Sequence, residues 1–134
     1  MKKSDLINGP ISSVIAHLGH NDMLTVADAG LPIPESTRRI DLALTKGVPG
    51  FIETLKIVLT EMYVERAIVS EDIETVSPDM FRQIQEILSD IPIETVPHTE
   101  FKQMVGTTRA VVRTGEFTPY ANVILVAGAW GFDL

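Results

Sequence analysis

The sequence predicts an α/β fold: a single domain in which helices flank a largely parallel sheet. The chain has 134 residues, the size of one domain with its own core. Short apolar runs typical of buried strands alternate with segments whose apolar residues recur at helical spacing. Such alternation is typical of a parallel sheet covered by helices. No repeat, low-complexity segment or linker divides the sequence, so we expect one domain over residues 1–134.

The first predicted elements are a helix, a tight polar turn and a strand. Asn8 is a typical helix-capping residue, and Pro10 follows it in the first turn. Apolar residues then recur at helical spacing up to Leu18, and Gly19 is a typical C-terminal cap. Residues 23–27 form an apolar run that predicts a buried strand.

The remaining elements follow from the same two patterns, alternation for strands and a spacing of three or four for helices. They are a strand at 40–44, a helix at 51–63, a strand at 67–69, a helix entered by Ser77 and Pro78, a strand at 91–96, a short helix capped by Thr99, and strands at 110–112 and 122–127. The acidic stretch of Glu71, Asp72 and Glu74 is predicted to be a solvated loop.

Charge and composition argue against several classes of function. The net charge of −7 and the isoelectric point near 4.8 disfavour nucleic-acid binding, because phosphates require a concentrated positive field. No apolar run approaches the roughly 20 residues of a membrane span, and none follows the two N-terminal lysines as in a secretory signal. The lack of cysteine excludes disulfides, thiol nucleophiles and cysteine-based zinc sites. We expect a cytoplasmic protein without a membrane or nucleic-acid partner.

The apolar content is high for a chain of this length. Hydrophobic residues make up 45% of the sequence, and the mean hydropathy is +0.19. A small domain has little interior relative to its surface, so part of this apolar excess must lie outside the core. Contacts between subunits are the usual place for such residues. The composition therefore predicts a homo-oligomer.

His20 is the first candidate for chemistry. It lies in a polar turn just after the predicted first helix, where the negative end of the helix dipole favours a protonated imidazole. An imidazole can donate and accept protons near neutral pH, which suits a general acid. The alternative is an ordinary turn histidine. His17, one helical turn earlier, is predicted to be a packed or surface residue.

Asp28 ends the strand that His20 precedes. A partly buried carboxylate needs hydrogen-bonding partners, so Asp28 could orient an imidazole or bind sugar hydroxyls. The alternative is an aspartate that caps a turn. A strand rises about 3.3 Å per residue, so two residues eight positions apart share a site only if the chain bends. Gly19 and Gly30 are the positions where bending costs least.

Further candidates follow the later strands. His98 lies after a strand and a proline, at a junction where ligand sites of α/β folds collect, and Lys102 follows one helical turn later. Tyr120, Ala121 and Asn122 open the last apolar strand with uncharged donors and acceptors suited to a polyol. The alternatives are a loop histidine, a surface lysine and a turn residue at a strand entry.

Motifs for cofactors and metals are weak or missing. The three histidines lack metal-ligand spacing, which makes a zinc site improbable. The Gly47-Val48-Pro49-Gly50 turn precedes a helix but lacks the Lys-Ser/Thr of a P-loop. Neither Gly-x-Gly-x-x-Gly nor Gly-x-Ser-x-Gly occurs, which leaves dinucleotide and serine-hydrolase functions unsupported. We expect no cofactor and no metal.

Eight segments are spread over nearly the whole chain, at residues 11–15, 18–20, 28–34, 39–41, 43–45, 47–49, 101–102 and 119–122. Together they resemble the ribose pyranase and fucose mutarotase family (RbsD/FucU). No single segment is decisive, but their order and spacing together are highly specific. The Ala-Gly-Leu-Pro-Ile-Pro segment and the Tyr-Ala-Asn triplet are more similar to the ribose branch than to fucose mutarotases.

The resemblance implies a cofactor-independent enzyme of ribose catabolism that interconverts pyranose and furanose ring forms of a free sugar. His20 matches the family's proton donor. Asp28, His98 and the segment Tyr120-Ala121-Asn122 match its sugar-binding positions, and Lys102 lies where a further polar contact is expected. The resemblance also implies a ring-forming oligomer, a decamer of two stacked pentamers with the site near a subunit boundary.

Two other functions are compatible with the same residues. One is a mutarotase that exchanges sugar anomers without changing ring size, which would differ in the ring forms whose exchange it accelerates. The other is a non-catalytic sugar-binding module, which needs the same pocket but no proton donor. The group that accepts the anomeric proton is left open, with water as one candidate.

Overall fold

The computed structural model describes residues 1–133 of the chain. Five helices and six strands form one domain. In chain order they are α1 (Gly9–His17), β1 (Met23–Ala27), β2 (Arg39–Asp41), α2 (Phe51–Leu59), β3 (Val64–Ser70), α3 (Ile73–Val76), α4 (Pro78–Ile87), β4 (Ile93–Val96), α5 (His98–Val105), β5 (Val111–Arg113) and β6 (Val123–Ala127). No helix in these residues is long and apolar enough to cross a membrane.

The six strands form one mixed sheet in the order β2-β5-β1-β6-β3-β4. Three of the five pairings are parallel, and β6 runs antiparallel to both of its neighbours, β1 and β3. The predicted α/β class is confirmed, and β6 is the departure from a parallel sheet. No helix lies between β5 and β6, so the chain does not return to the opposite edge of the sheet before β6 begins. The chain therefore turns around at one edge, and β6 runs in the opposite direction.

Both faces of the sheet are buried. Side chains of α1, α2 and α4 form one core with alternate residues of the strands, such as Leu24 and Val26. On the other face, Phe101 and Val105 of α5 pack against a second set of strand residues that includes Ile124 and Val126. Burial on both faces explains why β6 is an uninterrupted apolar run rather than an alternating one.

The first helix is capped partly as predicted. Asn8 accepts a hydrogen bond from the Ile11 amide at 2.9 Å, which confirms its role as N-cap. The C-cap residue Leu18 is extended and Gly19 does not adopt the left-handed backbone of a glycine cap, so the expectation of a Gly19 cap is wrong. The left-handed residue of the following turn is Asn21, with φ of 72°. Asparagine tolerates this conformation better than most residues.

Three later expectations also need correction. Helix α5 begins at His98, because the Pro97 carbonyl accepts from the Phe101 amide at 2.9 Å; Thr99 is therefore not its cap. The acidic stretch is not all loop, since Ile73 is buried and begins the short helix α3. Ser77 precedes α4 but makes no side-chain cap; its hydroxyl donates to the Pro119 carbonyl at 2.6 Å.

Candidate functional site

A cavity of about 440 Å³ opens at the edge of the sheet where β1, β4 and β5 end and β6 begins. Parallel strands present their carboxyl ends there, which is where ligands bind in open α/β sheets. The size suits a small molecule. Its lining residues are Asp28, Ala29, Gly30, Leu31, Pro32, His98, Arg113, Glu116, Phe117, Pro119, Tyr120 and Asn122.

Asp28 and Asn122 form a reciprocal pair in the cavity wall. The Asn122 side-chain amide donates to Asp28 Oδ2 at 3.1 Å, and its Oδ1 accepts from the Asp28 backbone amide at 2.8 Å. Asp28 Oδ1 accepts from the Gly30 amide at 2.9 Å. Asn122 is buried, so these contacts fix the orientation of the carboxylate before any ligand binds.

Burial raises the pKa of Asp28 above its ordinary value of 3.8, although hydrogen bonds from Gly30, Asn122 and Leu31 act in the opposite direction. Removing a carboxylate from water disfavours its charged form, which is the larger effect here. Above this pKa, Asp28 is ionised in the folded protein, which then bears the free-energy cost of a partly buried charge. A ligand hydroxyl that donates to the carboxylate would offset part of that cost.

His98 lies at the start of α5 with one ring nitrogen already engaged. Its Nδ1 is 3.2 Å from the Ser70 hydroxyl at the end of β3, which leaves Nε2 for a ligand. The ring stacks on Phe101, and the ring of Tyr120 meets it edge-on with the centroids 4.9 Å apart. Aromatic packing on both sides holds the imidazole in one orientation.

The segment before β6 presents Tyr120 to the cavity through an unusual backbone conformation. Tyr120 has φ of 62°, and its carbonyl accepts from the Asn122 amide at 2.8 Å. A left-handed bulky residue costs free energy and persists where surrounding structure imposes it. The Ala121 side chain is buried in the core, so Ala121 could contact a ligand only through its backbone.

Two charged residues of the cavity wall were not anticipated from the sequence, Arg113 and Glu116. Arg113 donates from Nε to the Ala29 carbonyl at 3.0 Å and from Nη1 to the Asp41 carboxylate at 3.1 Å. Glu116 Oε1 accepts from the Phe51 amide at 3.0 Å at the start of α2. Arg113 is the last residue of β5 and Glu116 lies in the loop that follows, so their position at the end of a parallel strand was the signal that could have identified them.

Glu116 is expected to stabilise the fold in a pH-dependent manner. Burial raises the pKa of its carboxyl, but hydrogen bonds from the Phe51 amide and from Thr118 outweigh burial, so the net pKa lies below the ordinary value of 4.5. A lowered pKa contributes stability above the unfolded-state pKa, and that contribution is lost as pH falls through the folded-state pKa. We expect Glu116→Gln to lower the free energy of unfolding by about 1–2 kcal/mol at pH 7.

Urea denaturation at pH 7 and pH 3.5 measures this effect. The difference between Glu116→Gln and the original protein should be smaller at pH 3.5, because this pH lies below the ordinary pKa of 4.5 that applies to the unfolded chain, and the contribution to stability is being lost there. Glu35→Gln is the matched control, because Glu35 is exposed and makes no side-chain hydrogen bond within residues 1–133. Equal differences at the two pH values would contradict the expectation.

His20 lies at the opposite edge of the sheet from the cavity. It precedes β1 and lines a second depression of about 570 Å³ together with residues such as Tyr63, Trp130 and Phe132. Its Nε2 is 3.0 Å from the Glu65 carboxylate. The straight five-residue strand β1 separates it from Asp28, about 16 Å at the usual rise per residue. One chain therefore does not bring His20 and Asp28 together.

The other candidates divide between the cavity and the surface. Asp28, His98, Tyr120 and Asn122 meet in the cavity of one chain. Lys102 lies one turn beyond His98 on α5 but is exposed and does not line the cavity. Within residues 1–133, no three His, Cys, Asp or Glu side chains are grouped so that they could hold a metal ion.

Comparison with known proteins gives the context for this site. Residues 1–130 match the RbsD / FucU transport protein family. The chain belongs to this family. A D-ribose pyranase of Clostridium perfringens is 55% identical over 128 residues, covering 96% of this chain and 98% of that protein. The family resemblance inferred from the sequence segments is confirmed.

Solved structures of RbsD/FucU proteins share the fold. The structure of Bacillus subtilis RbsD complexed with D-ribose has a TM-score of 0.93 and 41% sequence identity, and the match covers 96% of this chain and 98% of that one. The fucose mutarotase of Streptococcus pneumoniae in complex with L-fucose has a TM-score of 0.83 at 20% identity, covering 96% and 99% of the two chains. The second likeness concerns the fold alone.

Proposed function

We propose that this protein is a D-ribose pyranase, an isomerase that interconverts the beta-pyranose and beta-furanose forms of free D-ribose in ribose catabolism. The observation that carries the assignment is 55% identity to a D-ribose pyranase over nearly the full length of both chains. The RbsD structure of Bacillus subtilis, which was solved with D-ribose, has the same fold at 41% identity. The cavity at the carboxyl edge of the sheet is the ribose site.

The chemistry of the cavity supports this assignment. A free pentose is a neutral polyol, so its recognition requires several oriented hydrogen-bonding groups and little net charge. The Asp28 carboxylate accepts from hydroxyls, and Asn122 holds it in place. His98 Nε2 and the Tyr120 hydroxyl complete the polar contacts. Lys102 contributes an outer contact only, from its exposed position on α5.

The reaction breaks one C–O bond of the sugar and forms another, and the protein has only to assist the accompanying proton transfers. The C1–O5 bond of the pyranose breaks as O5 takes a proton and the O1 hydroxyl loses one, which gives the open-chain aldehyde. The O4 hydroxyl then attacks C1, loses its proton, and O1 regains one. Protons and electrons balance without a redox step. General acid–base assistance of such steps contributes about 10²–10⁴-fold. In our proposal, His20 is the acid that protonates O5.

His20 reaches the ribose of a neighbouring subunit in this proposal. The support is geometric, since His20 and the cavity lie at opposite edges of one sheet. The surface around His20 is strongly apolar: Tyr63, Trp130 and Phe132 are 53%, 79% and 73% exposed. Large exposed apolar side chains are typical of surfaces that contact another subunit. A ring of identical subunits would place each His20 at the next cavity.

The proposal includes two further expectations from the sequence, a cytoplasmic location and a decamer of two pentameric rings. Cell fractionation with antibody detection tests the location. Analytical ultracentrifugation tests the assembly, because ten chains of 14.7 kDa give about 147 kDa. A monomer at micromolar concentration would contradict both the ring and the delivery of His20 between subunits.

Saturation-transfer NMR on D-ribose tests the activity itself. We expect the protein to accelerate exchange between pyranose and furanose signals, with no added cofactor or metal and with chelator present. Acceleration of anomer exchange alone, at unchanged ring size, would assign a mutarotase. Ribose binding without any acceleration would assign a sugar-binding module and would contradict the proposal.

A further inference from the structure

Strand β3 contains an extra residue where it pairs with β6. Val64 is paired with Ala127 and Arg66 with Val126, so Glu65 has no partner in the register. An extra residue of this kind is a β-bulge, which bends the strand and redirects a side chain. Bulges are common next to active sites. The bulge places Glu65 at the sheet edge that carries His20.

The redirected Glu65 side chain meets His20. Its two carboxylate oxygens lie 3.0 and 3.2 Å from His20 Nε2, across 45 residues of sequence. A carboxylate only accepts hydrogen bonds, so Nε2 must carry the proton of this contact. His20 Nδ1 makes no hydrogen bond within residues 1–133 and faces away from that contact. The pair therefore selects the Nε2–H tautomer.

Gly128 allows the backbone to approach this pair closely. Its amide donates to the Tyr63 carbonyl at 2.9 Å. A Cβ at position 128 would lie 2.7 Å from the Tyr63 ring and 3.3 Å from Glu65 Cβ. A side chain at residue 128 would therefore clash with the Tyr63 ring and crowd Glu65.

We propose that Glu65 is the positioning residue for His20. Its carboxylate keeps a proton on Nε2, so the outward-facing Nδ1 of the protonated ring gives its proton to O5 of the sugar, and the neutral ring left behind is the Nε2–H tautomer. This inference rests on the proposed role of His20 in ring opening. A carboxylate that fixes the tautomer of a catalytic histidine contributes up to about 10⁴-fold in other enzymes. The present pair is partly exposed, with side-chain exposure of 42% and 33%, so we expect a smaller effect.

Partial exposure also makes the pair testable without loss of the fold. Ion pairs at this exposure contribute little to stability. We expect the thermal unfolding midpoint of Glu65→Ala to stay within a few degrees of that of the original protein. The matched control is Glu94→Ala, which removes a carboxylate from another exposed ion pair, with Arg66 at 3.2 Å, on the neighbouring strand β4.

The experiment combines ribose exchange with ¹⁵N NMR of His20. We expect Glu65→Ala to lower kcat for pyranose–furanose exchange by at least about tenfold while KM stays within about twofold. At a pH where the spectra show a neutral His20 ring, its ¹⁵N chemical shifts should change from those of the Nε2–H tautomer toward those of a mixture of the two tautomers. Glu65→Gln keeps an acceptor oxygen and should recover part of kcat. Glu94→Ala should match the original protein.

The combination with His20→Ala separates two kinds of failure. If Glu65 acts only through His20, the double variant should exchange ribose no more slowly than His20→Ala alone. An unchanged kcat or an unchanged tautomer in Glu65→Ala would overturn the positioning role, as would a double variant that is slower than His20→Ala. If His20→Ala itself keeps full exchange, the proposed catalytic role of His20 fails instead.

Discussion

Replacing His20 with alanine should lower the rate of pyranose–furanose exchange by about 10²–10⁴-fold, the usual contribution of a general acid. Binding of D-ribose should change little, because Asp28, His98 and Asn122 lie at the other edge of the sheet and keep their mutual contacts. His20 is exposed, so its truncation creates no cavity in the core. The loss should therefore fall on kcat.

Saturation-transfer NMR gives the exchange rate, and titration calorimetry gives ribose affinity for the same samples. His17→Ala is a matched control, since His17 is also an exposed histidine and lies three residues earlier, where its Nδ1 contacts the Ser13 carbonyl. That variant should exchange ribose at the original rate. Full exchange by His20→Ala would remove His20 from the mechanism, whereas loss of ribose affinity in the variant would assign it to binding.

Two impaired variants should restore activity to one another when their subunits are mixed and ribose exchange is measured well below saturation. His20→Ala keeps the cavity, and Asp28→Asn keeps the proton donor. Asp28→Asn replaces one of the two acceptor oxygens by an NH₂ donor. That donor would face the amide of either Gly30 or Asn122, and one hydrogen bond would be lost. We expect this variant alone to lose ribose affinity by about tenfold or more. If each site combines His20 of one subunit with the cavity of another, an equal mixture should regain about a quarter of the sites.

The mixing experiment uses the assembled protein. Each variant is dissociated and reassembled alone and in equal mixture, and ribose exchange is measured before and after. The variants treated alone control for losses during reassembly. Reassembly of the original protein sets the full rate. No recovery in mixtures that have demonstrably exchanged subunits would show that each site draws both residues from one chain, and would contradict delivery between subunits.

Local signals in the sequence were sufficient for most of the elements. Asn8 caps α1 and residues 23–27 form β1, because capping chemistry and apolar runs are properties of neighbouring residues. Helix α2 starts at Phe51 as predicted but ends at Leu59, short of the expected 63. The residue at which a helix ends depends on the tertiary contacts of its last turn, and the residues that make those contacts lie elsewhere in the chain.

The candidate site could be anticipated in part. Asp28, His98, Tyr120 and Asn122 were identified as positions after or before strands, and the structure groups them in one cavity. Family resemblance, rather than spacing, singled out their roles. Arg113 and Glu116 were missed because nothing in their local sequence distinguishes them from other charged residues. Only the folded chain brings them into the wall of the cavity.

The sequence by itself determined the size of the domain, its α/β class, the kinds of side chain available for chemistry and the family. Composition and local periodicity carry this information because they depend on residues close together in the chain. Tertiary structure alone decided the reversed direction of β6, the contact of Asp28 with Asn122 across 94 residues and the placement of His20 at the opposite edge. It also decided the bulge that brings Glu65 to His20. These features depend on which strands become neighbours, and that choice is made by packing across the whole sheet.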